Sequence, residues 1–309
     1  MRTALNTIRS RVTLGWSAIR RNRPIFWGVV TIAVLGLATF IHPILMGWVW
    51  PTGVYDPLTG YDIDVLHPSS PSGRHWLGTD NLGRDVASML LAGLKPTWLL
   101  ALSAAVSTAV AATVVAALGA FHRGWIEAGL GRLSDAILLL PAPIFMVVLG
   151  SGEFSERMGP IRFGLIYGLL AGAGAGAIVL RSHALKVMAL PFMEAARTTG
   201  ASATRLITRH LLPHLYPFAA LFMMLAVVGA VVSEGFASFF GQTASRLTWG
   251  TVVYLGVTFR DPVDGSIAWN AVLAPTVAIS LFSAAFFAVS VGLRAITDPR
   301  GRSRGGQTR

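Results

Sequence analysis

"EAARTTGASATRLITRHLLP", residues 194–213, is a polar segment in a chain that is otherwise strongly apolar. It carries one carboxylate, Glu194, and three arginines among small residues, with a glycine, Gly200, near its middle. The apolar stretches 161–180 and 215–237 flank it on either side. A polar segment between two stretches that are long and apolar enough to cross a membrane predicts a connection outside the bilayer.

The composition and the apolar stretches predict an all-α, polytopic membrane protein. Of 309 residues, 53% are hydrophobic and 13% are charged, whereas about a quarter of a typical soluble domain is charged. A helix needs about 20 apolar residues to cross the hydrocarbon core. A kink is expected in the third span because it holds Pro141 and Pro143. The six predicted spans are 26–50, 97–121, 133–150, 161–180, 215–237 and 272–293.

Lysine and arginine set the expected orientation. Six spans leave both termini on one side, and that side holds 18 of the 25 basic residues. Basic residues are enriched in cytoplasmic segments, so we expect a multi-pass protein of the cell membrane with both termini in the cytoplasm. The expected organisation is a cytoplasmic arm (1–25), a first transmembrane helix (26–50), an extracytoplasmic segment (51–96), a core of five spans (97–293) with a cytoplasmic loop (181–214), and a basic cytoplasmic tail (294–309).

The N-terminal arm has an apolar face. Five apolar residues recur at spacings of three and four, and arginines occupy much of the rest of the arm. This pattern predicts an amphipathic helix on the cytoplasmic leaflet, and a disordered basic tail is the alternative. The apolar residues are Leu5, Ile8, Val12, Trp16 and Ile19.

Several chemistries are excluded by what the sequence lacks. The net charge of +11 follows the membrane topology, and no basic soluble domain is present to bind nucleic acid. There is no cysteine for thiolate catalysis and no phosphate-binding loop for nucleotide hydrolysis. His210 and His214 stand four residues apart, but Pro213 lies between them and no third ligand is near, so we expect no metal site. We therefore expect a chain that is not an enzyme and binds no cofactor.

The fourth span carries a glycine at every fourth position. Small residues at this step form a groove that lets another helix approach closely. The pattern predicts close helix packing, and a helix that slides between two states is the bolder interpretation. The glycines are Gly164, Gly168, Gly172 and Gly176.

Residues 188–213 are predicted to form two short helices joined at Gly200. A glycine can adopt the positive φ that ends a helix and turns the chain. The first helix offers small side chains, which suits docking in a groove of a partner protein. An amphipathic loop that rests on the membrane is the alternative from physical reasoning alone.

A resemblance to a known family decides between these alternatives. The stretch 194–214 resembles the EAA loop of ATP-binding-cassette importer permeases, with matches at Glu194, Ala195, Ala196, Gly200, Leu212 and Pro213. Three further stretches resemble the C-type permease of the dipeptide, oligopeptide and nickel subfamily. They are "HWLGTDNLGRDVASMLLAGLKPTWLLAL" (75–102), "EGFASFFG" with "LTWGTVV" (234–253) and "GLRAITDPR" (292–300). The chain departs from the family pattern at Ser290 and Val291, after Gly241, and at Lys95 and Pro96, and these departures leave the cargo open.

The resemblance implies a transporter subunit with several partners. These are a second related permease, two ATPase subunits that hold the ATP and magnesium, and an extracytoplasmic solute-binding protein. It implies a coupling helix that docks on an ATPase, formed by Glu194, Ala195, Ala196, Arg197, Thr198, Thr199, Gly200 and Ala201. It also implies an outer gate or binding-protein contact at His75, Gly78, Thr79, Asp80, Gly83, Arg84 and Asp85, extending to residues 241–270.

The implied function is import of dipeptides or oligopeptides by alternating access. The same fold could import nickel chelates or another small solute such as haem. From other classes, a membrane scaffold without transport is the alternative, and a membrane-embedded enzyme is disfavoured because the spans hold no catalytic constellation.

Overall fold

The computed structural model describes residues 22–122, 124–150, 158–240 and 247–297. Most of the N-terminal arm and the end of the C-terminal tail lie outside these residues. Within them the chain is helical, and one isolated bridge joins Thr79 to Asp85 without forming a strand. The helices are α1 (Arg23–Ala38), α2 (Ile41–Trp48), α3 (Thr52–Tyr55), α4 (Val86–Phe121), α5 (Trp125–Leu139), α6 (Ala142–Leu149), α7 (Pro160–Met188), α8 (Pro191–Thr198), α9 (Ala203–Phe239), α10 (Trp249–Thr258) and α11 (Trp269–Thr297).

The predicted all-α, polytopic fold is confirmed. In the described part of the chain, five helical segments are long and apolar enough to cross a membrane, and a sixth follows if α5 and α6 form one broken span. The kink predicted at Pro141 and Pro143 is present as an 83° bend between α5 and α6. The third segment is therefore sharply bent rather than a simple straight span, because Pro141 and Pro143 cannot donate the backbone hydrogen bonds of a continuous helix.

The first and second spans differ from their predicted bounds. The first is interrupted at Thr39 and Phe40, so α1 and α2 are separate helices. The second, α4, begins at Val86 and has 36 residues, which is about 54 Å of helix. The Asp85 carboxylate accepts a hydrogen bond from the Ser88 amide at 2.6 Å and thereby caps this earlier start. Apolarity alone did not reveal the start, because the first turns of α4 pack against protein outside the predicted span.

The prediction of a second short helix after Gly200 is wrong. The chain does turn at Gly200, which has a φ of +80°. However, Ala203 begins a helix that continues without interruption into the fifth span and ends at Phe239. A wide π-helical turn at Leu206–Leu211 precedes Pro213. A turn of this kind relieves the clash between a proline ring and the preceding turn, so the helix passes through Pro213.

Helix α10 was not predicted, because ten residues are too short to be recognised as a span. Thr248 caps its N-terminus by accepting a hydrogen bond from the Thr251 amide. The Trp249 side chain is buried, and its indole nitrogen donates to the Leu90 carbonyl of α4 at 2.8 Å. Its ring packs edge-on against Phe282 of α11. This tryptophan therefore joins α4, α10 and α11.

Helix α4 lies at the centre of the bundle and packs against α7 along the glycine face. A Cβ built at Gly172 would lie 2.6 Å from the Thr108 carbonyl oxygen, and one at Gly176 would lie 2.9 Å from the Ala112 Cβ. Gly164 and Gly168 lie equally close to α4. The structure thus places the four glycines where two backbones approach each other, and only glycine allows this distance.

Candidate functional site

The predicted coupling segment forms a short helix with two different faces. In α8 and the following turn, Ala196 and Ala201 are half-buried and the other six predicted residues are exposed. The exposed six are Glu194, Ala195, Arg197, Thr198, Thr199 and Gly200. Hydroxyl groups of both threonines donate to the Ala195 carbonyl, so these side chains fold back along the helix. The outer face therefore combines small side chains with two charged ones, Glu194 and Arg197.

Met193 holds this helix to the rest of the protein. Its side chain is completely buried. It lies in an apolar cluster with Ala117 and Ala120 of α4, Ala184 of α7, and Leu206 and Leu211 of α9. Sequence reasoning did not single out Met193, although it is an apolar residue among small and polar neighbours. Because this cluster contains residues of three spans, α8 packs where the ends of α4, α7 and α9 come together.

The turn at Gly200 requires glycine because of its backbone conformation and not because neighbouring atoms leave no room for a side chain. A Cβ at Gly200 would have no atom within 4 Å. The φ of +80° is one that residues with a Cβ rarely adopt, so glycine is required for the backbone alone. The Ser202 side chain then accepts a hydrogen bond from the Arg205 amide at 3.4 Å and caps the start of α9.

The second predicted site lies at the opposite end of the bundle, before α4, and its residues are buried. His75, Thr79, Asp80, Arg84 and Asp85 are each at most 6% exposed. Gly78 and Gly83, which take φ values of +75° and +82°, are buried as well. These side chains form the interior of the loop. Any contact with a binding protein would therefore be made by the exposed residues around them.

Asp80 and Arg84 close the tight turn that precedes α4. The Asp80 carboxylate accepts hydrogen bonds from the Arg84 amide at 2.8 Å and from the Arg84 guanidinium at 2.8 and 2.5 Å. It also accepts one from the Leu82 amide at 3.0 Å. A charge-assisted pair with this many hydrogen bonds fixes the turn geometry.

His75 lies between two buried carboxylates. Its Nδ1 is 2.8 Å from Asp85 Oδ2, and its Nε2 is 3.0 Å from Asp62 Oδ2. Arg74 adds a contact from its Nε to the same Asp62 oxygen at 2.7 Å. Each imidazole nitrogen faces a carboxylate oxygen, so both nitrogens donate when the ring is protonated on both. The resulting Asp62–His75–Asp85 group, which we call the buried triad, joins residue 62 to the capping residue of α4.

Burial and hydrogen bonding act in opposite directions on the two carboxyl groups of the triad. For Asp85, burial dominates and raises the pKa above the ordinary value, although hydrogen bonds oppose it. For Asp62, burial also acts to raise the pKa. The Asp64 amide, His75 and Arg74 together outweigh it, so the pKa of Asp62 is lowered.

Two asparagines attach this loop to the other end of the sequence. Asn270 of α11 donates from Nδ2 to the Leu77 and Thr79 carbonyls at 2.8 and 3.1 Å. Asn81 donates to the Phe259 carbonyl at 2.9 Å, in the segment after α10. The sequence predicted that residues 241–270 belong to the same outer site. These contacts place residues after 246 next to the loop before α4. Residues 241–246 lie outside the described residues.

A buried glutamate connects α9 to α10 near the same end. Glu234 is 3% exposed, and its Oε1 accepts hydrogen bonds from Thr248 at 2.5 Å and from Ser238 at 3.2 Å. A Cβ at Gly250 would lie 2.6 Å from Glu234 Oε2. A polar contact of this kind fixes how α10 starts against the end of α9.

The wide turn of α7 faces the bend between α5 and α6. Residues Gly172–Gly176 form a π-helical turn, and Gly174 departs from helical geometry with φ −82° and ψ −107°. A Cβ at Gly174 would lie 3.1 Å from Ile137 of α5. The bent segment and the irregular turn therefore pack against each other in the middle of the bundle.

Comparisons with known proteins agree with this architecture. Over residues 109–303, well over half of the chain, the sequence matches the family described as "binding-protein-dependent transport system inner membrane component". A Brucella abortus protein, described provisionally as a peptide transport system permease protein, is 28% identical over 300 residues, which span 96% of this chain and 95% of that protein. The glutathione transport system permease protein GsiD of Escherichia coli is 28% identical over 291 residues, covering 92% of this chain and 89% of that protein.

Proposed function

Because the chain belongs to the family of binding-protein-dependent transport system inner membrane components, we propose that it is the permease subunit of an ATP-driven importer of dipeptides or oligopeptides. It forms the translocation path with a second, related permease. Two ATPase subunits bind ATP and magnesium on the cytoplasmic side, and an extracytoplasmic binding protein delivers the cargo. The chain itself carries out no catalysis.

The observation that carries this proposal is the exposed α8 helix with its buried anchor. A short helix that presents Ala195, two threonines and Gly200 outward, with Glu194 and Arg197 beside them, can seat in a groove of an ATPase. Because Met193 is packed among α4, α7 and α9, a displacement of α8 moves the ends of three spans. ATP-driven closure of the ATPases then switches the path between inward-open and outward-open states.

The peptide cargo rests on the relatives. One of them carries the name of a peptide permease and another that of a glutathione permease. Glutathione is itself a small peptide, so both names agree on this class of solute. Nickel chelates or another small solute, such as haem, are the alternative cargoes for the same fold.

Transport measurements on coupling variants test the proposal. The chain is reconstituted in liposomes with its co-expressed permease, ATPases and binding protein, and ATP hydrolysis, subunit stoichiometry and uptake are measured. Uptake of a radiolabelled dipeptide, a labelled tripeptide and a nickel chelate is compared. We expect ATP-dependent peptide uptake, and no ATP hydrolysis by the purified permease without its ATPases. Uptake of the nickel chelate alone would refute the peptide cargo.

Gly200→Leu is the decisive variant, and Gly124→Leu is its matched control. Both glycines have positive φ, +80° and +89°, and at both a Cβ would have no atom within 4 Å. A residue with a Cβ is therefore strained at both positions, whereas only Gly200 belongs to the coupling segment. We expect Gly200→Leu to lose its ATPase subunits or to hydrolyse ATP without uptake, and Gly124→Leu and Glu194→Gln to transport at near wild-type rates. Equal transport by both glycine variants would refute the coupling role.

A further inference from the structure

A groove opens where the first span is interrupted. Helix α1 ends at Ala38, and α2 begins at Ile41 after a two-residue turn. Thr39 donates from its hydroxyl to the Gly36 carbonyl at 2.6 Å and so satisfies one of the freed backbone groups. The turn leaves a groove of about 370 Å³ between this part of the chain and α4. Its volume falls within the range of about 300–1,000 Å³ that is typical of ligand sites.

The lining of the groove is apolar and firmly supported. Phe40, Pro43, Trp98 and Leu102 contribute to its wall. The Trp98 ring packs edge-on against Phe282 and Phe286 of α11, with centroids 5.5 and 6.0 Å apart. A floor held in this way does not collapse when the groove is filled.

A lysine contributes a positive charge to this groove. Lys95 contributes to the lining and is exposed. Within the described residues no carboxylate lies within 4 Å of its ammonium group. Among the carboxylates that the structure describes, the positive charge therefore has no counter-ion, although it lies beside apolar residues of a membrane span.

The groove lies toward the end of the first span, within reach of one bilayer surface. Helix α1 has 16 residues and extends about 24 Å, which is most of the roughly 30 Å hydrocarbon thickness. His42, two residues after the turn, has its Nε2 3.2 Å from the Ser88 hydroxyl near the start of α4, so the turn lies in the half of the first span that leads to segment 51–85. Lys95 is nine residues from the start of α4, about 14 Å along the helix. The long stem of a lysine at this level lets its ammonium group reach lipid phosphates while its neighbours meet acyl chains.

We propose that this groove is a binding site for an anionic phospholipid, whose phosphate pairs with Lys95 and whose acyl chain lies along Phe40, Pro43, Trp98 and Leu102. Neither the family resemblance nor the peptide transport role requires such a site. Charge complementarity selects the occupant, because a zwitterionic lipid would bring a second cation to the same place. The proposal is independent of the cargo and of ATPase coupling.

Native mass spectrometry of the full-length protein, purified with the subunits that accompany it, tests the proposal. The probes are dioleoyl phosphatidylglycerol and dioleoyl phosphatidylcholine, which share their acyl chains, and soluble glycerol 3-phosphate as a phosphate source without acyl chains. One basic residue near a membrane surface contributes about 1 kcal/mol toward anionic lipid. At 1.4 kcal/mol per factor of ten, we expect about a five-fold preference for phosphatidylglycerol. We expect no competition from equimolar glycerol 3-phosphate.

Two variants separate the charge from the groove. Lys95→Gln should bind both lipids equally, and Gly36→Leu, which places bulk against Trp98, should bind less of either lipid. Arg162→Gln, which removes an exposed basic residue near the start of α7, should keep the five-fold preference. If Gly36→Leu does not fold, Lys95→Gln decides alone. The proposal would be overturned if Lys95→Gln kept the preference, or if the wild type bound both lipids equally. It would also be overturned if glycerol 3-phosphate displaced the lipid, or if no lipid bound because a partner subunit covers the groove.

Discussion

Removal of the His75 side chain should loosen the whole segment before α4. In His75→Ala, the carboxylates of Asp62 and Asp85, each 1% exposed, would remain buried without the ring between them. Loss of a hydrogen bond to a charged group typically costs about 1.5–3 kcal/mol. Arg74 still contacts Asp62 at 2.7 Å in this variant, so the loss falls mainly on Asp85. At 1.4 kcal/mol per factor of ten, local opening should increase by about one to two orders of magnitude.

Hydrogen exchange measured by mass spectrometry on the purified protein reports the local opening of this segment directly. The informative amides are those of Gly78 and Ser88, which donate to the His75 carbonyl and to the Asp85 carboxylate. Their protection should fall in His75→Ala by the stated factor. His122→Ala is the matched control, because that exposed ring contacts only the Leu118 carbonyl, and it should leave protection unchanged. Protection in His75→Ala within two-fold of the wild type would show that the triad does not hold the segment.

The same variant should recover protection on acidification. Burial raises the pKa of Asp85 in the folded protein, and loss of the neighbouring imidazole removes an interaction that opposed this rise. A raised folded-state pKa means that the folded state binds the proton more tightly than the unfolded state. Stability therefore increases as the pH falls through the raised folded-state value toward the ordinary value near 4. Protection in His75→Ala that does not change over this window would contradict uncompensated charge as the cause of the loosening.

Two further predictions concern topology and packing. A cysteine at Leu66, which is 91% exposed, should react with an impermeant maleimide added to intact cells, and one at Ser202 should not; the opposite labelling would reverse the orientation. Gly172→Leu should lower detergent stability by about 1–3 kcal/mol through overpacking, because the Thr108 carbonyl oxygen lies 2.6 Å from the new Cβ and belongs to the backbone. Gly129→Leu, with no atom within 4 Å of its Cβ, is the control, and equal thermal denaturation of both variants would contradict close packing at Gly172.

The sequence predicted those features that depend on neighbours along the chain. Apolar stretches predicted the spans, prolines predicted the bend after α5, and Gly200 predicted a turn of positive φ. The glycine repeat of α7 follows the same logic, because residues four apart share one face of a helix. Such features need no knowledge of which helices meet.

The remaining features depend on contacts between distant parts of the chain. The buried triad joins positions that are 13 and 10 residues from His75. Trp249 reaches Leu90 across 159 residues. Met193 is buried only because α4, α7 and α9 converge on it. No local sequence pattern encodes these long-range contacts. The buried triad and the packing of Met193 were therefore found only in the folded structure.

The long α4 helix constrains how the length of this protein can change in evolution. Its start is fixed by Asp85, its middle packs on the glycines of α7, and its end lies beside Met193. One inserted residue would rotate everything after it by about 100° and shift it by about 1.5 Å. The alanines that face α7 would then point to lipid while the start stayed in place. We therefore expect insertions and deletions among related chains to fall in the connections, such as residues 51–85, and to avoid the span 86–121.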